Sequence, residues 1–410
     1  MLILGGVVMH IDKNLNITKI LGRENKYLKP NFIFEELTIS FLNEIYLSIN
    51  KIKEARLYSD LATFGFWCRK KNIENLLKKY KNNNIRIGRG IVYHIAPSNV
   101  PMNFAYSFAF GMLSGNYNIV RLPSKKYYQI HVLCNVIRKI CSKKKYKEIL
   151  KHFLFIHYEK SSKISNYLSS QVDARLIWGG DETIKEFKKY DTHPRCVDLN
   201  FANRISFSII KPSALKKLSN VNYLNFIKNF FNDSYLMDQK GCSSPKIILW
   251  FMDNKNQKND KQIIEKFWND LDIFVKSNYE DDLSISNKKI ASLFYDTLNS
   301  GINYTVFYKN FNIVRLKINS LSNKIERMNN SYGTFIEKNI INLNSISKIV
   351  TKRYQTLTYF GIDDKEIIKT IKKNGILGID RIVKVGRAND LDAIWDGYDI
   401  INSLSRIVSN

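Results

Sequence analysis

The stretch Ile91 to Ser124, IVYHIAPSNVPMNFAYSFAFGMLSGNYNIVRLPS, decides the fold. It opens on the short apolar run Ile91–Ile95 and breaks at Pro97 and Pro101. From Asn103 to Ser114 it is apolar almost throughout, and it stops at Gly115-Asn116. A second short apolar run, Ile119 to Leu122, ends at Pro123-Ser124. Two strand-length runs joined by a helix-length apolar segment spell a βαβ unit with parallel strands. A helix that is apolar all round is a buried one.

The same alternation continues outward. Helical YQIHVLCNVIRKICSKK leads to HFLFIHY (152–158), SSKISNYLSSQ leads to ARLIWGG (174–180), and DETIKEFKKY leads toward RISFSII (204–210). Strands repeatedly joined by helices predict an α/β fold with a doubly wound, mostly parallel sheet, whose ligands sit at the carboxyl ends of the strands. Those ends carry Pro97-Ser98-Asn99, Ser124-Lys125 and Gly179-Gly180. Upstream, residues 32–84 show apolar positions at three- and four-residue spacing, the mark of amphipathic helices packed on a sheet. Near Asp233 a second α/β region begins, in which Cys242 lies in a turn before the run Ile247–Phe251. The predicted organisation is a nucleotide-binding domain over 1–232 with an N-terminal helical segment, a catalytic domain over 233–385, and a closing segment, 386–410, that returns to the domain interface.

Composition narrows the class. The chain has 410 residues, 44% hydrophobic and 13% aromatic, enough apolar surface to offset chain entropy, so a disordered protein is excluded. Five cysteines without a CxxC pair argue against a disulfide framework or a cysteine-based zinc site, and fit a reducing cytoplasmic setting with no metal. No window approaches a membrane span. Sixty-four Lys and Arg against 37 Asp and Glu leave a net charge of +27. The lysines are spread from Lys13 to Lys384 rather than gathered in one tail, and no recognition motif for nucleic acid accompanies them. A diffuse positive surface instead favours encounter with anionic substrates or partners.

Two residues carry the chemistry. Cys242 sits in Gln239-Lys-Gly-Cys-Ser-Ser-Pro245, where glycine and proline fix a turn and backbone N–H groups can support a thiolate or an oxyanion. A thiolate is a nucleophile toward carbonyls and thioesters. Asn99, between Pro97 and Pro101, is a carboxamide held on a rigid loop, suited to donate to an oxyanion. Alone, each motif reads more readily as a structural turn than as a catalytic one. Cys68, Cys134, Cys141 and Cys196 read as core or structural residues.

Taken together, Ile95-Ala-Pro-Ser-Asn-Val-Pro101, Gly115-Asn116, Arg121-Leu-Pro-Ser124, Trp178-Gly-Gly180, Gln239-Lys-Gly-Cys-Ser-Ser-Pro245 and Trp395-Asp-Gly-Tyr-Asp399 resemble the LuxC-type fatty acyl-CoA reductases, a branch of the aldehyde dehydrogenase superfamily. The resemblance runs over roughly residues 85 to 400. It implies an acyl-accepting nucleophile at Cys242 and an oxyanion donor at Asn99, with the Cys242 backbone N–H as its partner. It implies a cofactor-facing turn at Gly179-Gly180, with Ser98 and Ser124 at the same strand ends. Lys125, with Arg121 nearby, falls where NAD-preferring relatives carry a carboxylate, so the implied reductant is NADPH. Coenzyme A is the implied leaving group. An acyl-CoA, or an acyl group from an acyl-protein synthetase or carrier protein, is the implied substrate, and the implied assembly is a homo-oligomer. One departure stands out: the superfamily's glutamate base is matched only by Asp198, in Val197-Asp-Leu199, and the paired glycines that usually follow are absent. A weak base suits a reductase, which needs no attacking water. Two alternatives stay open, a CoA-independent NAD(P) aldehyde dehydrogenase and a basic nucleic-acid-binding or scaffold protein.

Overall fold

The computed structural model describes residues 11–409 except 13, 26–28, 82–83, 98–99, 254–256, 280–282, 311 and 329–330. The chain forms two compact units, Met1–Ala202 with Ala393–Asn410, and Asn203–Asp392.

The first unit is built on β1 (Thr18–Gly22), β3 (Ile91–Ile95), β4 (Tyr117–Arg121), β5 (Phe153–His157), β6 (Ala174–Trp178) and β7 (Val197–Phe201), in the order β1-β5-β4-β3-β6-β7. All pairs are parallel except β1 with β5. The joining helices are α4 (Asn103–Leu113), α5 (Tyr128–Cys141), α6 (Ser162–Ser170) and α7 (Asp181–Phe187), preceded by α1 (Glu36–Ile49), α2 (Ser59–Trp67) and α3 (Lys70–Lys78). Strand alternation supplies both faces of the sheet. Phe153 and Phe155 meet Phe104 and Phe108 of α4 edge to face, while Leu154 and Ile156 join Ile164, Leu168, Ile184 and Phe187 of α6 and α7. Helix α4 is buried along nearly its whole length, as its all-apolar sequence requires. It stops at Gly115, whose φ of 78° is left-handed, and a β-carbon there would lie 2.1 Å from the Asn31 carbonyl oxygen.

The order of the five parallel strands reverses direction between β3 and β6, which creates a switch-point crevice at their carboxyl ends. A small antiparallel pair, β2 (Ile85–Gly88) with β17 (Ser405–Val408), completes the unit, together with α13 (Ile400–Ser403) and a hairpin of β15 (Ile394–Trp395) and β16 (Tyr398–Asp399). Asp396 and Gly397 turn that hairpin with φ of 49° and 75°, the two left-handed residues of a type I′ turn.

In the second unit, β8 (Ile205–Ile210), β9 (Pro245–Phe251), β10 (Tyr304–Asn310), β11 (Ile313–Ile318), β12 (Thr334–Ile340), β13 (Tyr354–Phe360) and β14 (Arg381–Lys384) form a sheet in the order β10-β11-β12-β9-β8-β13-β14. Only β10 is antiparallel to its neighbour. Around it lie α8 (Pro212–Lys216), α9 (Asn220–Tyr235), α10 (Gln257–Asn278), α11 (Leu283–Asn299) and α12 (Asp364–Lys373). Ile248 and Trp250 pack with Phe226, Phe230, Phe267 and Trp268 of α9 and α10, and Ile247 and Leu249 face the opposite core.

The structure moves the expected boundary. RISFSII does not extend the first sheet; it is β8, paired with β9 and β13 of the second. The first sheet takes β7 instead, and the break falls between Ala202 and Asn203 rather than at 232. The residues from Ala393 onward return to the first unit.

Candidate active site

Cys242 lies just before β9, at the amino ends of the second unit's parallel strands. Its turn is heavily constrained. Asp238 and Gln239 both have left-handed backbones, φ 52° and 58°, a conformation that costs about 1–2 kcal/mol per non-glycine residue. Such strain persists only where the surroundings over-determine it. Tyr279 donates its hydroxyl to Asp238 at 2.8 Å, and Lys240 pairs with Asp238 at 3.0 Å. Gln239 is fully buried: its Oε1 accepts from the backbone N–H of Gly333 and Thr334 at 3.0 and 3.1 Å, and its Nε2 donates to the Pro245 carbonyl at 3.0 Å. The sequence places Gln239 in the motif but gives no sign of this bracing role, because two of its three partners, Gly333 and Thr334, are about 95 residues away.

Four elements converge on the thiol. Gln355, second residue of β13, donates its Nε2–H to Cys242 Sγ at 3.3 Å. Ser206 of β8 donates to the Cys242 carbonyl at 2.6 Å and accepts from the Thr356 backbone N–H at 3.0 Å. Ser243 donates to Asn389 Oδ1 at 3.0 Å. Two cations lie in electrostatic range of Cys242: Lys246 of β9, whose ammonium burial pulls down to about 8 against the opposing pull of Asp296 and Cys242, and Arg381 of β14, lowered by burial. Cys242 is partly exposed. Burial lifts the thiols of Cys68, Cys134 and Cys141, the latter two to about 11 and about 12, and Cys196 rises to about 11.

The loop after β14 is fastened to this region by Asp233 of α9. Its buried carboxylate accepts from the backbone N–H of Gly386 at 2.6 Å and of Ala388 at 3.0 Å, and Asn389 donates to the Asn232 carbonyl at 2.9 Å. Burial raises the Asp233 carboxyl to about 7. A folded-state value above the unfolded one means that the native state holds the proton more tightly. The associated stability is therefore complete below about pH 4 and lost as pH rises through 7. Unfolding free energy is expected to fall by a few kcal/mol between pH 4 and 8, at about 1.4 kcal/mol for each tenfold difference in proton affinity between the folded and unfolded chain. Asp233→Asn is expected to flatten that slope in urea unfolding measured across the range.

The first unit holds the remaining predicted residues. Asn99 and Ser98 lie outside the described residues. Arg121 ends β4; its guanidinium lies 4.2 Å from the centre of the Tyr158 ring and donates to the Tyr158 carbonyl at 3.4 Å. Ser124 and Lys125 are exposed just beyond, with the Lys125 ammonium 5.2 Å from the centre of the Tyr127 ring. Gly179 donates its N–H to the Phe201 carbonyl at 3.2 Å, and Gly180 caps α7. That helix opens with Asp181 and Glu182, whose charges oppose an anion at its start. Asp198 stands on β7, gripped by both arms of the buried Arg175 guanidinium at 2.7 and 2.6 Å. A carboxylate bound on both oxygens is a structural ion pair and a poor water-activating base. The cluster around Cys242 described above is thus built from second-unit residues, and it adds Gln355, Ser206, Lys246 and Arg381, which the sequence pattern does not single out. Among the described residues no group of three or more His, Cys, Asp or Glu side chains could hold a metal ion, and no helix is long and apolar enough to cross a membrane.

Comparisons agree with this architecture. The fold resembles betaine aldehyde dehydrogenase from Staphylococcus aureus (13% identity, TM-score 0.58, covering 91% of this chain and 82% of that one). It also resembles aldehyde dehydrogenase 21 from Physcomitrella patens, solved with the reaction product succinate (11%, 0.60, 91% and 85%), and the aldehyde dehydrogenase KauB from Pseudomonas aeruginosa (11%, 0.61, 91% and 83%). No curated protein matches the sequence. The family model for the acyl-CoA reductase LuxC matches residues 67–408. The chain belongs to the LuxC family of acyl-CoA reductases, a membership that, with the fold, implies an acyl substrate, oxidoreductase chemistry and a nicotinamide cofactor.

Proposed function

We propose that the chain reduces a long-chain fatty acyl thioester to the aldehyde through an acyl-Cys242 intermediate, with NADPH as reductant and coenzyme A as leaving group. The observation that carries this reading is the Cys242 sulfur: partly exposed, on an over-braced turn, and 3.3 Å from an amide donor. Attack by the Cys242 thiolate forms the new carbon–sulfur bond, and the carbon–sulfur bond to coenzyme A breaks. The coenzyme A thiolate leaves and takes a proton from water. The resemblance assigns Asn99 to hold the oxyanion, and that role rests on the resemblance alone.

The first unit suits a nicotinamide dinucleotide: its strand order reverses between β3 and β6, and the end of β4 carries Arg121, Ser124 and Lys125 with no carboxylate. When bound, that dinucleotide supplies one hydride to the acyl carbon. The chain's part is to present the acyl group on Cys242, hold the oxygen of each tetrahedral species, and recover the thiolate as the aldehyde leaves. Asp198, tied to Arg175, has no step in this scheme, which favours reduction over hydrolytic oxidation. Lys125 supports the preference for a 2′-phosphate. Lys125→Glu is expected to raise the KM for NADPH about tenfold, the equivalent of one lost charge-assisted contact, and to leave that for NADH little changed. The positive surface suits anionic thioester donors, either acyl-CoA or an acyl carrier protein.

Intact-mass analysis with palmitoyl-CoA and no dinucleotide tests the reading. The expected result is a gain equal to one palmitoyl group, lost on adding NADPH with release of aldehyde. Oxidation of an aldehyde to free acid without coenzyme A would favour the hydrolytic alternative.

A further inference from the structure

The segment Asn203–Asp392 contains no histidine, so the unit that carries Cys242 offers no imidazole to support its thiolate. We propose that Gln355 fills that role as a catalytic donor: its Nε2–H holds the Cys242 sulfur in the ionised, attacking form and receives it again as the aldehyde departs. This rests on the acyl-Cys242 reading above and adds a residue to it.

The geometry is specific. Gln355 is fully buried, so its amide has exchanged water for fixed partners, and a donor aimed at a charge is strongest where water is excluded. Thr356 donates its hydroxyl to Gln355 Oε1 at 3.2 Å, which identifies the other end of the amide as the nitrogen facing the sulfur. The Asp380 backbone N–H donates to the Gln355 carbonyl at 2.8 Å and fixes the residue's place between β13 and β14. Ser206 then ties the two partners together, donating to the Cys242 carbonyl and accepting from Thr356. Sulfur and amide are thereby held at both backbones, with little freedom to drift apart.

The charged groups facing this pair come from four elements and the loop after β14. Lys246 of β9 and Arg381 of β14 act on Cys242 directly, both as cations. Asp296 of α11 faces Lys246, while Asp390, Asp392 and Asp233 face Arg381. The two cations favour the thiolate and the aspartates temper them. Gln355 is neutral, so its contribution is directional and does not depend on pH. A neutral donor also suits a sulfur that must become uncharged once acylated, because it leaves no buried cation unpaired during the acyl-enzyme stage.

The test is the pH dependence of iodoacetamide alkylation, read on the Cys242 peptide by mass spectrometry, in the wild type, Gln355→Glu and Gln355→Leu. Gln355→Glu replaces the donor by an acceptor and is expected to move the midpoint up by at least about one pH unit, slowing alkylation at pH 7 about tenfold. Gln355→Leu keeps the volume without the donor and is expected to move it up by less, about threefold in rate. A purely structural glutamine would lower the melting temperature and leave both midpoints alone. If Gln355→Glu does not fold, the leucine variant decides. An unmoved midpoint in a folded variant, while the wild type still gains a palmitoyl group, overturns the donor role and leaves the acyl-enzyme reading intact. A moved midpoint in a protein that never gains the acyl group supports the donor and overturns the acyl-enzyme reading.

Discussion

Cys242→Ala is expected to abolish acyl-enzyme formation and aldehyde release together, lowering turnover by about 10⁴-fold or more, the scale seen when a covalent nucleophile is removed. No other thiol in the chain is prepared to replace it. Cys68, Cys134 and Cys141 are buried, and burial lifts every one of their thiols, while Cys196, lifted to about 11, is protonated at neutral pH. Thiolate fraction sets nucleophilicity, so these four contribute almost nothing. The substitution removes one partly exposed sulfur and leaves the Gln239 bracing in place, so the melting temperature is expected to change little. Loss of activity with an intact fold separates a catalytic role from a structural one. Cys242→Ser sharpens the comparison: it keeps a group for Gln355 to donate to, but a hydroxyl is far harder to ionise, so the variant is expected to be nearly as inactive. An oxyanion donor is worth less than the nucleophile, so Asn99→Ala is expected to cost only about 10²–10³. Steady-state aldehyde production and intact mass check all three. A Cys242→Ala enzyme that kept more than a few per cent of wild-type rate would remove Cys242 from the chemistry.

Much of the first unit is legible in its apolar runs. The strands β3, β4, β5 and β6 are interior strands of the sheet and read as short, mostly apolar runs, and α4, between β3 and β4, is apolar almost throughout. What escapes is what polarity disguises. The strand β7, VDLNF, is half exposed at the sheet edge and carries Asp198 and Asn200, so it looks like a loop. Its neighbour β8 is apolar throughout and takes its apparent place. Chain connectivity resolves the ambiguity: only residues 202–204 separate the two strands, too few for the crossover that a parallel partner needs, so β8 has to begin another sheet. The strand β13 hides in the same way. Gln355, Thr356 and Thr358 are all fully buried, but they read as polar because their partners, Cys242, Ser206 and Ser208, lie 113 to 150 residues away. The proposed nucleophile is thus visible from its own turn, and the amide that contacts it is not, since the contact exists only once β13 is laid beside β8.

The other large expected effect is on stability. Arg315→Ala is expected to destabilise the second unit by about 3–5 kcal/mol, the cost of leaving a buried charge without its partner. Glu337 of β12 is almost fully buried in the aromatic core between β12 and α10. Its Oε2 accepts from the indole N–H of Trp250 at 3.1 Å and of Trp268 at 3.2 Å, and its Oε1 pairs with Arg315 of β11 at 2.9 Å. The guanidinium also lies 5.3 Å from the centre of the Trp268 ring, and its outer edge meets Glu265 on the surface. The Glu265 contact is exposed and worth little; the inner one neutralises a carboxylate that water cannot reach. Alanine at 315 strands that carboxylate against two indoles. Glu337→Gln separates charge from packing, because its carbonyl still accepts from an indole and carries no charge. In the Arg315→Ala background it is expected to restore part of the lost stability, by about 1–3 kcal/mol, whereas in the wild type it is expected to destabilise, a coupling of the size that contacting residues show. Urea unfolding followed by tryptophan fluorescence reads this directly, since Trp250 and Trp268 are themselves the donors. A loss below about 1 kcal/mol for Arg315→Ala, or a further loss on adding Glu337→Gln to it, would show that the pair is not what holds Glu337 in the core. Because β12 pairs with β9 from Ile336↔Ile247 to Ile340↔Phe251, the same substitution is expected to loosen the strand that follows Cys242 and to lower activity in step with stability.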